Sequence, residues 1–124
     1  MLNEGDVIAT VAVKDVDAAK QFYGGTLGLK LADETPAGLM YESGSTKLLV
    51  YPSEFAGSNK ATYAGWRVTD VEGTVAELKG KGVKFEQYDN LPGTTREGDI
   101  HSMDQWKGAW FKDPDGNIFA LGNM

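Results

Sequence analysis

Apolar positions along this chain switch between a two-residue and a helical period, and each switch marks an element. Residues 7–13, VIATVAV, alternate as a half-buried strand does. From there the period lengthens: Ala18, Ala19, Phe22 and Tyr23 recur at helical spacing, with Asp15 or Asp17 as the cap and Gly24-Gly25 as the stop. Three strand-like runs follow, LKLAD, LMYES and KLLVY, separated by turn formers. The second half repeats the scheme. Asp70 caps a helix carrying Val71, Val75 and Leu78, ended by Gly80 and Gly82, and VKFEQ, GAWFK and NIFAL come after it.

Residues 11–31 can be laid over residues 66–86 so that Asp15-Val16 meets Asp70-Val71. The organisation predicted is βαβββ, twice: one domain over 1–124, with a first module at about 5–55 and a second at about 60–124. Near the C-terminus, FKDPDGN places Pro114, Asp115 and Gly116 where a type I turn with a bulge needs them. Asp113 should then pair with Asn117, and Trp110 should lie opposite Ala120. Residues 88–108 break the pattern, being polar and rich in turn formers, and read as a loop or irregular strand near a site mouth.

Charge and composition narrow the function. With 12 Lys and Arg against 18 Asp and Glu, the net charge of −6 repels phosphate, so nucleic acid is not an expected partner. The chain has no Cys and one His, which removes thiolate chemistry and leaves little for a transition metal. The apolar run at 7–13 is too short for a signal core or a membrane span, and a cytoplasmic location is expected.

The paired βαβββ modules, the helix start DVDAAKQFY at 15–23, the LGLKL strand at 27–31 and the terminal WFKDPDGNIFAL together resemble the vicinal oxygen chelate superfamily. That superfamily includes glyoxalase I, bleomycin-resistance and fosfomycin-resistance proteins and extradiol dioxygenases. The resemblance implies an α+β fold in which two tandem βαβββ modules form a curved, mostly antiparallel sheet around a cup-shaped cavity, helices outside. It also implies a homodimer. Enzymes of the family hold a divalent metal in the cup; the positions matching their ligands are Ile8, Val50, Ala64 and Ala120, none of which binds a metal. No metal and no cofactor are therefore expected.

Strand alternation assigns Thr10, Ala12, Thr62 and Trp66 to the face of Ile8, Ala64 and Ala120, with Ile118, and Trp110 joins through the hairpin pairing. In the fosfomycin-resistance relatives, the positions matching Thr10 and Trp110 touch substrate. The resulting expectation is an apolar cup for a small aromatic or amphipathic molecule, with Thr10, Trp66, Trp110, Trp106 and His101 as ligand-binding candidates. Each has a plainer reading: the tryptophans as core, Thr10 as a strand former, His101 as a solvated loop residue beside Asp99 and Asp104, Trp106 as a loop anchor. Sequestration without chemistry is the leading function. The alternatives are a metal-free lyase or isomerase drawing on His101, Asp99 or Asp104, and a protein-interaction module with a filled cup.

Overall fold

The computed structural model describes residues 1–123, and the chain divides into two compact units, Met1–Ser58 and Asn59–Met124. In the first unit β1 (Ala9–Val13) leads into α1 (Val16–Ala19), then β2 (Lys30–Thr35), β3 (Gly38–Ser43) and β4 (Thr46–Pro52). The strands order as β1-β4-β3-β2, with β1 and β4 parallel and the other pairs antiparallel. Asp15 caps α1, its Oδ1 accepting from the Asp17 and Ala18 N–H groups at 2.9 and 3.3 Å. The helix does not stop at Gly24-Gly25. It widens into a π-helical stretch, Lys20–Thr26, and the left-handed turn residue is Gly28, at φ 75°.

Val11, Val50 and Leu39 are register partners and all fully buried, and Tyr41 and Leu48 extend the same face toward Tyr23. Burying each such aliphatic side chain is worth about 1.5–3 kcal/mol. The opposite face carries Thr10, Leu49 and Met40 in register.

The second unit repeats the topology with β5 (Thr62–Arg67), α2 (Val71–Gly80), β6 (Phe85–Glu86), β9 (Trp106–Lys112) and β10 (Ile118–Gly122). Again the first strand runs parallel to the last, β5 beside β10, and β9 and β6 follow in antiparallel order. Asp70 caps α2 through Gly73 N–H at 2.9 Å. At its end Gly82, φ 93°, allows Gly82 N–H to reach the Lys79 carbonyl and Val83 N–H the Leu78 carbonyl, a Schellman closure.

Between β6 and β9 lies a hairpin, β7 (Thr95–Glu97) and β8 (Ile100–Met103), where the sequence pattern predicted a loop or irregular strand. β8 pairs with the first half of β9, and β6 with its second half. Across the turn after β9, Asp113 N–H donates to the Asn117 carbonyl at 2.9 Å, and Trp110 sits opposite Ala120, the pairing read from FKDPDGN.

Candidate functional site

Register sorts the second unit's residues onto two faces. Phe111, Phe119, Ala109 and Leu121 are partners and buried on the face that meets α2. Ile118, Ala120, Gly122, Trp110, Gly108 and Trp106 alternate with them and form the open face.

Trp66 belongs with the first group. It pairs with Leu121, stacks on Phe111 at 6.0 Å and packs on Phe119 at 5.4 Å. The alternation that set it beside Ala120 fails because the β5–β10 register slips between Ile118 and Phe119, so Thr62 partners Ile118 while Ala64 partners Phe119. Gly65 takes the place opposite Ala120. Val50 likewise lies on the buried face of its own unit, with Leu49 the open-face partner of Thr10. Ile8 is 41% exposed, and Thr10 is exposed.

These placements bear on the metal that the family's enzymes carry. Ile8, Val50, Ala64 and Ala120 offer no ligand atom, and Leu49 and Gly65, which occupy the open face instead, offer none either. Among the described residues no group of three His, Cys, Asp or Glu side chains is placed to hold a metal ion. The residues do not fit the group.

Four rings meet on the open face. Trp110 packs edge-on against Tyr88 at 5.4 Å and His101 at 4.8 Å, and tilts against Trp106 at 5.7 Å. Pairs of this kind add about 0.5–1.5 kcal/mol each beyond their buried area. Trp106 lies over bare backbone: a Cβ at Gly108 would overlap its ring, and one at Gly122 would come within 3.0 Å of its Nε1.

His101, read from the sequence as a solvated loop residue, is fully buried. It stands in β8 opposite Gly108, so its ring turns to the same face as Trp110. Its Nε2 accepts the Tyr88 N–H at 3.0 Å, which requires that nitrogen to be unprotonated. Its Nδ1 is buried and has no hydrogen-bond partner. The histidine thus fixes the chain at Tyr88, and burial in turn pushes the Tyr88 hydroxyl's pKa up, with Glu86 adding to the shift.

Asp99 ties the hairpin to α2 and to the residue after β6: it accepts from Lys79 Nζ at 2.7 Å and Gln87 Nε2 at 3.1 Å. The Lys79 bond is the main reason its carboxyl lies below the usual range. Asp104 holds φ 53° in the tight turn between β8 and β9 and is exposed.

Three cavities open along this face. One of about 440 Å³ lies between Leu91, Pro92, Met103, Trp106 and Trp110. A second, about 390 Å³, shares Trp110 and Leu91 and adds Tyr88, Thr62, Ile118 and Lys60. The third, about 240 Å³, shares Trp106 and adds Gly65, Arg67, Ala120, Gly122 and Trp66, so the half-buried Trp66 borders this hollow as well as packing on Phe111 and Phe119. Trp106 and Trp110 therefore partition one row of apolar hollows. Leu91, Tyr88 and Lys60 were not singled out in the sequence; the first two come from the segment without clear periodicity, and Lys60 precedes its strand.

A βαβββ unit, repeated, with the first strand parallel to the last in each copy, defines the class of scaffold. The chain belongs to the Glyoxalase/Bleomycin resistance protein/Dioxygenase superfamily, whose family model matches residues 7–121. Among solved structures it is similar to an antibiotic binding protein from Streptomyces sp. CB03234, with 27% identity, 94% of this chain and 93% of that one covered, and a TM-score of 0.68. A glyoxalase/bleomycin resistance protein from the same organism gives 26% identity, 94% and 98% coverage and a TM-score of 0.65. The glyoxalase family protein from Enterococcus faecalis, at 21% identity, 98% and 99% coverage and a TM-score of 0.72, shares the fold. No curated protein matches the chain. No helix among the described residues is long and apolar enough to cross a membrane.

Proposed function

We propose that this protein binds a small aromatic or amphipathic molecule without a metal, as a sequestration or resistance protein does, and that the ligand lies against Trp106, Trp110 and Tyr88. One observation carries the reading: Trp106, Trp110 or both line each of the three cavities. Apolar hollows with sparse polar groups suit small molecules, and half-buried indoles supply rigid stacking surfaces. The similarity to an antibiotic binding protein supports the same class of ligand. Aliphatic side chains at the family's ligand positions support metal independence. On the family resemblance we place the protein in the cytoplasm as a homodimer.

An acid–base enzyme has less support. The Nε2 of His101 is engaged and its ring is closed to solvent, Asp99 is held by Lys79 and Gln87, and Asp104 serves a turn. General catalysis needs such a group within hydrogen-bond reach of substrate. The open hollows also count against a filled, ligandless cup.

Titrating planar aromatics while following tryptophan emission tests the reading. Quenching is expected with wild type, and Trp110→Ala should weaken binding by about 1–3 kcal/mol. Conversion of a bound molecule by wild type and not by His101→Ala would overturn simple binding.

A further inference from the structure

The charged residues bordering the three cavities are Lys60 and Arg67, and no carboxylate lines any of them. In a chain of net charge −6 this is not the expected surroundings of a hollow. The other cations of the second unit explain why. Lys79 pairs with Asp99, Lys81 with Glu77, Arg96 with Asp89, Lys107 with Glu72 and Lys112 with Glu86. Two of these pairs stand on the open-face side, with Lys112 opposite Ile118, Glu86 opposite Trp110 and Arg96 opposite His101, but there each carboxylate is matched by its own cation. Among the described residues of this unit, the cations left without an ion pair are Lys60, Arg67 and Lys84, and two of the three border a cavity.

Their positions are ordered. Lys60 borders the cavity on the Trp110 side, Arg67 the one on the Trp106 side, and the hollow between the indoles has no charged lining. Thr62 adds a hydroxyl near Lys60. A row so arranged suits a flat apolar body carrying an acidic group at its end. A guanidinium or ammonium in an apolar-walled cleft attracts an anion more strongly than one on an open surface, because the walls keep out part of the water that would screen it. A cationic aromatic would find the same stacking surfaces and no counter-charge.

We propose that the ligand is an aromatic anion, a carboxylate or an acidic phenol, whose ring system stacks on Trp110 or Trp106 and whose charge is met by Lys60 or Arg67. This rests on the binding reading above and names the class of ligand within it.

Three naphthalene probes of one shape test it: 2-naphthoate, the neutral 2-naphthamide and the cationic 2-naphthylmethylammonium, each titrated at low salt with tryptophan emission as readout. The naphthoate should bind at least tenfold more tightly than the amide, and the ammonium should bind most weakly. The naphthoate preference should shrink as salt rises. In Lys60→Gln with Arg67→Gln, both exposed positions, the naphthoate should fall to the affinity that the amide shows for the same variant. Equal affinity for the three probes, preference for the ammonium, or a naphthoate preference that survives the double substitution would overturn this proposal and leave aromatic binding intact. If no probe perturbs either indole, aromatic binding itself fails, and the anion proposal with it.

Discussion

The two modules are built to one plan and finished differently. In the first, β2 passes to β3 directly, Thr35 lying opposite Gly38, and the open face carries Thr10, Met40, Leu49 and Tyr51. Its paired rings, Tyr23 and Tyr41, lie in the core. In the second, residues 87–105 separate the equivalent strands and fold into the β7–β8 hairpin, which brings His101 beside Trp110. Under the offset that aligns Asp15 with Asp70, Val11 corresponds to Trp66: Val11 is fully buried, and the half-buried Trp66 packs on the core rings Phe111 and Phe119. The comparison teaches that the repeat preserves what makes a core, whereas the row of rings comes from an insertion and from one strand beside it.

The sharpest way to break the comparison is in the core. Trp66→Ala should cost about 3–5 kcal/mol of folding stability, because it removes the ring on which Phe111 and Phe119 pack; denaturant unfolding measures it. Trp110→Ala should cost less stability and instead lose the aromatic ligand, so the two tryptophans separate on a plot of stability against affinity. Next comes the insertion. His101→Phe keeps a ring but removes the acceptor for Tyr88 N–H, and should destabilise by about 1–3 kcal/mol and speed exchange of the Tyr88 amide.

Thr10→Ala, on the open face of the first module, should change stability by no more than about 0.5 kcal/mol. If it abolished binding of an aromatic that Trp110→Ala spared, the assignment of binding to the second module would fall. The smallest effect is in acid. Hydrogen bonding holds Asp99 toward Lys79 and Asp89 toward Arg96, and lowers both carboxyls. Their contribution is present above the ordinary carboxylate value, about pH 4, and is lost as pH falls through the lower folded value. Indole emission should therefore drift in that window, and Asp99→Asn should flatten the drift.

Much of this was legible from residue order. The caps at Asp15 and Asp70, the closure at Gly82 and the pairing of Trp110 with Ala120 each follow from local chemistry that tertiary packing does not override. Face assignment on β5 was not legible, since a slip of one residue reverses alternation and leaves no mark in composition. The hairpin had a signal that went unread: Glu97-Gly98-Asp99-Ile100 is a two-residue turn with Gly98 at φ 62°. Its strands are so short that the surrounding turn formers hid their alternation. The burial of His101 depends on that hairpin, and so could not be seen without it.

Gly108 and Gly122 give Trp106 its seat, and the ring lies low because neither residue has a side chain. The depth of the groove is thus set from underneath. A methyl group added at either glycine would lift the indole like a shim, and would also press on backbone, meeting the Leu121 carbonyl at 2.9 Å from Gly108 or the Lys107 carbonyl at 3.0 Å from Gly122. On the binding proposal, Gly108, which lines none of the three hollows, would help set how thick a molecule they admit by how low it lets Trp106 lie.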